Sequence, residues 1–193
     1  RYDAERARLR WSSLRELPIE SFLREVVRDA TLEPTVDAVA DRVGEDLEWQ
    51  KDALPTLDYL RESGYGTVVL VDLPVPLPVS WRERCRPWID EIVSSRDLSR
   101  RTPDPAAFHE CLRRLHLSRH QLLHVGEGAV EDVYAAQNVG LRTALLERFG
   151  RGRPDPDAAA WLLREHDLDV SSVKPHLKLR KLEDLPAAID TFG

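Results

Sequence analysis

Short apolar runs alternate with helical stretches from Ala53 to the end of the chain, and this alternation constrains the fold more than any other feature. Thr67–Asp72, Leu122–Val125 and Leu141–Leu146 are apolar or β-branched runs of strand length, and Ala106–Leu115 is an amphipathic stretch between two of them. Strands that alternate with helices pair in parallel, because a parallel connection needs a crossover of about a helix's length. We therefore predict an α/β fold with one doubly wound parallel sheet and helices on both faces.

Residues 1 to 50 have a different pattern. Strong helix formers are separated by Pro18 and by Pro34, and no run is typical of a strand. Arginines and glutamates alternate along this part of the chain, and we interpret them as a solvated face. The sequence therefore predicts a small helical subdomain over residues 1–50 and an α/β core over residues 51–193.

Composition and charge restrict the partners. The 193 residues carry 28 basic and 34 acidic side chains, for a net charge of −6, and no basic stretch favours nucleic acid. No apolar run approaches the ~20 residues of a membrane span, so we expect no membrane partner. The two cysteines, Cys85 and Cys111, have no metal or redox spacing. We expect a cytoplasmic protein with reduced thiols; a protein partner or a homodimer is left open.

The stretch LLHVGEGAVEDVYAAQNVGL, residues 122–141, combines a strand, an acidic loop and a small-residue helix. Glu127, Glu131 and Asp132 follow the strand, at the sheet edge where open α/β folds bind ligands. Carboxylate oxygens also suit Mg²⁺. Alternatively, these acids solvate a loop and favour the N-terminus of the next helix. Their spacing does not decide between the two interpretations.

Four segments occur in an order that resembles the haloacid dehalogenase (HAD) superfamily, from about Ala53 to Phe192. They are ALPTLDYLRESGYGTVVLVD, RRTPDPAAFHECLRRL, LLHVGEGAVEDVYAAQNVGLRTALL and KPHLKLRKLEDLPAAIDTF. The resemblance implies a HAD-like Rossmannoid parallel sheet with helices on both faces, and residues 1–50 as a helical cap. It also implies a phosphatase-type hydrolase with Mg²⁺ and an aspartate nucleophile, acting on a small phosphorylated or otherwise activated substrate.

The resemblance also assigns candidate site residues, with departures from the family pattern. Asp72 stands where the second motif has Ser or Thr, and a carboxylate there would repel phosphate. Thr102 replaces the third-motif lysine, with Arg101 one residue before it; an arginine is no simple substitute for a lysine. In the fourth motif Glu127 replaces an aspartate, whereas Asp132 matches. Asp72, Arg101 and Thr102 are therefore the candidate substrate-binding residues, and Glu127 and Asp132 the candidate Mg²⁺ ligands.

The family's first motif, which carries the nucleophile in a DxD pattern, is not found in this sequence. Asp3 has neither a preceding apolar strand nor a DxD partner, so no catalytic residue is identified. The chain starts at Arg1 and has no methionine, and we expect its native start to lie upstream. In HAD folds the first-motif strand lies between the strands that end near Asp72 and Val125. We therefore expect either a central strand from upstream of Arg1 or a rearranged sheet in which these neighbours close up.

Two functions follow from these observations. The first is a HAD-like hydrolase, weakened or divergent because the nucleophile and the third-motif lysine are not seen. The second is a catalytically inactive HAD-fold pseudoenzyme that binds a ligand or a protein partner. Altered motif positions favour the second, as do Trp11, Trp49 and Trp81 if they lie near the cleft. A weaker third hypothesis is dimerisation or scaffolding through residues 1–50.

Overall fold

The computed structural model describes residues 10–16, 35–148 and 155–192. The helices are α1 (Thr35–Asp46), α2 (Ala53–Glu62), α3 (Val79–Cys85), α4 (Ser95–Leu98), α5 (Pro105–Leu115), α6 (Ala135–Asn138), α7 (Pro156–His166) and α8 (Leu185–Phe192). The strands are β1 (Val68–Val71), β2 (Glu91–Ser94), β3 (Leu123–Gly126), β4 (Arg142–Leu146) and β5 (Leu177–Leu179). Strands and helices alternate after Ala53, so the predicted α/β class is confirmed.

Helix α5 shows why the local sequence signals were informative. The Asp104 carboxylate accepts a hydrogen bond from the Ala106 backbone N–H at 2.8 Å, and Pro105 occupies the first turn, where no backbone donor is needed. The helix ends at His116, which adopts a left-handed conformation (φ 53°). Helix α7 begins in the same way after Asp155. Helix α5 therefore starts one residue before its predicted position.

The strands form two parallel sheets instead of one. Strand β1 pairs with β2, and β4 pairs with β3 on one side and β5 on the other. All pairings are parallel, as predicted. In the described part of the chain, however, β1 and β3 are not hydrogen-bonded to each other. The neighbours of the expected central strand have therefore not closed up, and a slot separates two half-sheets.

Helices on both faces hold the half-sheets together. On one face, Leu57 and Leu60 of α2 and Leu185 of α8 are buried with Ala144 of β4, and Val69 of β1 packs against the same cluster. On the opposite face, a second cluster centres on Phe108 of α5, Ala136 of α6 and Leu141, and Leu70 of β1 and Leu122 pack against it. The two half-sheets are thus joined through apolar side chains above and below the slot.

The turn after β3 differs from the predicted loop. A wide π-helical turn begins at Ala129 and runs to Tyr134, where it continues into α6. The Gly128 carbonyl accepts hydrogen bonds from the backbone N–H of both Asp132 (3.2 Å) and Val133 (3.1 Å), which widens the turn. Glu131 and Asp132 therefore lie in the first helical turn and not in a loop, a position that favours acidic residues.

The predicted subdomain over residues 1–50 stays a prediction, because residues 1–9 and 17–34 lie outside the described part. Residues 10–13 are helical, and Trp11 packs against Trp161 of α7 with ring centroids 5.6 Å apart. Trp11 is thus a core residue. No helix among the described residues has the length and apolar character to cross a membrane.

Candidate active site

The candidate site lies where β1 and β3 end, at the carboxyl edge of the slot. A cavity of about 1010 Å³ runs between the half-sheets, and Arg10, Asp72, Thr102, Gly128 and Asp132 line it at this edge. Because parallel strands present their carboxyl ends at one edge, residues far apart in the sequence meet there. The site is therefore assembled from the segments that follow β1, β2 and β3, together with residues 10–16.

Asp72 is the centre of the first group of polar side chains. The Thr102 hydroxyl donates a hydrogen bond to its Oδ2 at 2.7 Å, and Arg10 Nη2 donates to the same oxygen at 3.2 Å. Arg101 Nε lies 3.8 Å from this oxygen. The three predicted substrate-binding residues, Asp72, Arg101 and Thr102, thus lie together. The two arginines offset the charge of Asp72, which weakens the repulsion that the sequence predicted for a phosphate group.

The side chain of Arg101 is buried and not solvated. Its side chain is 5% exposed, and its Nη1 lies 3.8 Å from Oε1 of the buried Glu16. Glu16 in turn accepts a hydrogen bond from the Ser95 hydroxyl at 2.8 Å. The guanidinium is therefore fixed within a buried polar network and acts on the edge of the cavity through its charge.

Arg10 and Glu16 were missed in the sequence because they belong to the alternating arginines and glutamates assigned to a solvated face. Arg10 contacts Asp72 across 62 residues, and Glu16 contacts Ser95 across 79 residues. Nothing in their local spacing sets them apart from Arg6 or Arg15. The only usable signal was that the core needs cations near Asp72, and this signal does not select a particular arginine.

Asp132 is the centre of the second group. His124 Nε2 lies 2.9 Å from its Oδ1, and the Gly128 N–H donates to its Oδ2 at 2.7 Å. Burial alone would raise the pKa of Asp132, but the hydrogen bonds from His124 and Gly128 and the charge of Arg10 outweigh burial, so the pKa lies below its usual value. Asp132 is therefore held as a carboxylate.

Gly126 and Gly128 are required by the close approach of Asp132. A Cβ on Gly126 would lie 2.1 Å from the Asp132 Cγ, and a Cβ on Gly128 would lie 3.1 Å from its Oδ2 and 2.8 Å from Glu131 Oε2. The G-E-G sequence therefore leaves room for the carboxylate to fold back over the end of β3. Burial raises the pKa of the neighbouring Glu131 above its usual value.

Glu127 does not share its contacts with Asp132. Its side chain is 52% exposed, and Arg148 Nε lies 3.5 Å from its Oε1. Arg148 also donates to Asp52 Oδ1 at 2.8 Å, and the Leu182 N–H donates to the other oxygen of Asp52 at 2.6 Å. Glu127 thus belongs to a charged group that connects α2 with the end of β4.

A magnesium ion needs near-octahedral coordination by oxygen atoms. Both oxygens of Asp132 already accept hydrogen bonds, and Glu127 is paired with Arg148. The described residues contain no group of three or more His, Cys, Asp or Glu side chains that could hold a metal ion. Glu127 and Asp132 thus contact different partners, and a magnesium site at these two residues stays a prediction.

Three comparisons with known proteins find similarity to haloacid dehalogenase-like proteins. Residues 84–146 match the model of the haloacid dehalogenase-like hydrolase family. The chain is 29% identical over 98 residues to haloacid dehalogenase-like hydrolase domain-containing protein 3 of Danio rerio, covering 51% of this chain and 34% of that protein. It is 30% identical over 102 residues to glyceraldehyde 3-phosphate phosphatase of Methanopyrus kandleri, covering 50% of this chain and 42% of that protein.

Solved structures show the same fold. A 2-haloacid dehalogenase of Pseudomonas syringae superposes with a TM-score of 0.60 at 20% identity, over 77% of this chain and 56% of that one. A HAD phosphatase of Thermococcus onnurineus gives a TM-score of 0.58 at 20% identity, over 79% and 63%. The fold is similar to that of these HAD proteins, and the resemblance to HAD-like hydrolases that the sequence predicted is confirmed. The chain spans about a third to two fifths of the curated relatives that it matches.

Proposed function

We propose that the protein is a HAD-like hydrolase of the phosphatase type that acts on a small phosphorylated substrate at the carboxyl edge of the slot. The observation that carries the proposal is the convergence of Arg10, Arg101 and Thr102 on this edge, beside the glycines at the end of β3. Guanidinium groups are well suited to phosphate. The similarity to a glyceraldehyde 3-phosphate phosphatase supports the same substrate class.

The chain's own residues have separate tasks in this proposal. Arg10, 20% exposed at the cavity edge, attracts the phosphate and is oriented by Asp72. Thr102 and Arg101 fix the position of Asp72, so that its charge is offset before a substrate binds. Asp132 remains ionised beside His124 and positions the Gly128 N–H at the rim. The attacking nucleophile is not identified among the described residues.

A second candidate function is a catalytically inactive HAD-fold module that binds a phosphorylated ligand. One observation favours it: Asp72, Glu127 and Asp132 are each already bound by a cation or by donors of the same chain. A carboxylate that accepts two hydrogen bonds is a weaker nucleophile and a weaker metal ligand than an unbound one. This module would bind phosphate at Arg10 but would not turn a substrate over.

One experiment separates the two functions. The purified chain is incubated with p-nitrophenyl phosphate, with and without Mg²⁺, beside the variants Asp132→Asn and Asp167→Asn. Asp167 is a matched control, because it lies exposed at the end of α7 in a left-handed conformation (φ 51°) that Asn also adopts. The hydrolase predicts turnover that falls at least ~10-fold in Asp132→Asn and is unchanged in Asp167→Asn.

Background release from all three proteins would contradict the hydrolase. Titration with inorganic phosphate then tests the binding module, using Arg10→Gln and a surface control, Arg42→Gln. Arg42 is 74% exposed and contacts Glu45 and Asp46 of the same helix, α1. Phosphate binding that is lost in Arg10→Gln alone supports the module. Equal binding by both variants contradicts a phosphate site at Arg10.

A further inference from the structure

Trp49 and Trp81, two of the tryptophans that favour a binding function, line a second cavity and not the slot. This cavity has a volume of about 370 Å³ and lies between the segment that follows α1 and the helix α3. Small-molecule sites have volumes of about 300–1,000 Å³, so a small ligand fits. The lining combines four apolar residues with two charged ones: Leu47, Trp49, Trp81 and Cys85, with Glu48 and Arg84.

Trp49 is held in place although it is partly exposed. It is 37% exposed, and its ring lies edge-on to that of Trp88, with ring centroids 6.2 Å apart. Trp88 is itself fixed, because its indole N–H donates a hydrogen bond to Asp58 Oδ1 at 2.8 Å. A large ring that is fixed but not covered loses little conformational freedom when a ligand packs against it. Trp49 is therefore preorganised to bind an aromatic group.

Arg84 brings a positive charge that no carboxylate offsets in the described part of the chain. Its Nη2 donates a hydrogen bond to the Gly44 carbonyl at 2.7 Å, which orients the guanidinium. Arg86, two residues later, lies instead 3.4 Å from a carboxylate oxygen of Glu83. A carbonyl accepts one N–H and carries no net charge, so the other donors of Arg84 are available to a carboxylate.

Glu48 brings the opposite charge to the same cavity. Among the residues that the structure describes, it forms no ion pair with Arg84 or with any other side chain, whereas the nearby Glu45 lies 3.5 Å from Arg42. Cys85 adds no charge at neutral pH, because burial raises the pKa of its thiol. The cavity thus combines one cation, one anion and aromatic walls.

We propose that this cavity binds a free aromatic amino acid in its zwitterionic form. The ring of the ligand packs against Trp49 and Trp81, and its carboxylate accepts hydrogen bonds from Arg84. Its ammonium group donates to Glu48 and is attracted by the indole rings. A purely anionic ligand would be repelled by Glu48 and a purely cationic one by Arg84, so a zwitterion matches both charges. The proposal concerns binding and does not depend on the proposed hydrolase activity.

Calorimetric titration of the 193-residue chain with L-phenylalanine tests the proposal. Three analogues are titrated beside it, and each lacks one of the three contacts. Phenylpropionate has no ammonium group, phenethylamine has no carboxylate, and L-alanine has no ring. We expect one phenylalanine per chain and binding at least about 10-fold weaker for each analogue, since a charge-assisted hydrogen bond or a packed ring is worth that much.

Two charge-removing variants assign the contacts to their residues. Arg84→Gln and Glu48→Gln are each expected to weaken phenylalanine binding at least about 10-fold. Arg86→Gln and Glu45→Gln are the matched controls, because these side chains are 75% and 70% exposed and do not line the cavity. Both controls are expected to bind phenylalanine as the unchanged chain does. Thermal unfolding, followed by circular dichroism, verifies that all four variants are folded.

Three results would overturn the proposal. The first is a folded chain that binds no phenylalanine at a ligand concentration of about 10 mM. The second is binding of phenylpropionate or phenethylamine as tight as that of phenylalanine, which would show an apolar cavity that does not recognise a zwitterion. The third is a phenylalanine affinity that neither Arg84→Gln nor Glu48→Gln changes, because the ligand would then bind elsewhere on the chain.

Discussion

The substitution Gly126→Ala tests whether the end of β3 is built around Asp132. An alanine Cβ would lie 2.1 Å from the Asp132 Cγ and 2.5 Å from both its Cβ and its Oδ1. Atoms cannot approach so closely, so Asp132 has to move away from the strand. The movement separates its carboxylate from His124 and from the Gly128 N–H, which now lie at 2.9 and 2.7 Å.

The expected cost follows from these two contacts. A hydrogen bond to a charged group contributes about 1.5–3 kcal/mol, so losing both costs at most about 3–6 kcal/mol. The Asp132 side chain is 24% exposed, and water replaces part of what is lost. The alanine also reduces the conformational entropy of the unfolded chain, which stabilises the folded state by about 0.4–1 kcal/mol. We therefore expect a net loss of about 2–4 kcal/mol, or a fall of roughly 5–15 °C in Tm.

Urea unfolding, followed by circular dichroism, measures the loss, and a double-mutant cycle with Asp132→Gly tests its cause. Asp132→Gly removes the Cβ and the carboxylate, so Gly126→Ala should cost less than about 1 kcal/mol in that background. Gly66→Ala is a control for the backbone, since Gly66, like Gly126, has no left-handed φ, and its alanine Cβ would meet only the Asp90 Oδ2, at an ordinary distance of 3.4 Å. An unchanged cost in the Asp132→Gly background would refute the steric explanation.

Three further predictions concern the polar contacts. Asp52→Ala breaks the contacts of Asp52 to Arg148 and to the Leu182 backbone N–H, and we expect it to lower the free energy of unfolding, measured in urea, by about 2–3 kcal/mol. The surface variant Arg42→Ala is its control and should lower it by less than about 0.5 kcal/mol. Thr102→Val removes the 2.7 Å hydrogen bond to Asp72 and should cost about 1–2 kcal/mol in the same assay. Because Asp52 and Asp132 have pKa values lowered from 3.8, their contribution to stability is complete above about pH 5 and is lost progressively as the pH falls below 3.8 and through the lower folded-state pKa; stability that rises on acidification below pH 5 would contradict it.

The strands and most helices could be predicted because their signals are local. Val68–Val71 is a β-branched run of strand length, and Asp104 with Pro105 marks the start of α5. The turn that carries Glu131 and Asp132 was predicted wrongly, as a loop. Its conformation depends on one carbonyl, that of Gly128, accepting two hydrogen bonds, and no residue pattern reports this.

The candidate site was predictable only in part, for a related reason. Asp72, Arg101 and Thr102 were found because they follow recognisable strands and loops, and the structure brings them together. Arg10 was not found, because its role depends on a contact made across 62 residues. Glu127 and Asp132 are close in the sequence, but each contacts a different partner, and their role as metal ligands stays a prediction.

The separation of the two half-sheets also has a consequence for cooperativity. Backbone hydrogen bonds transmit unfolding along a sheet, but among the described residues β1 and β3 are joined only through the side chains that pack above and below them. The β1–β2 pair and the three-stranded β3–β4–β5 sheet can therefore open as separate units, with different free energies of opening. The shorter two-stranded unit is then the first part of the core to lose its amide protection.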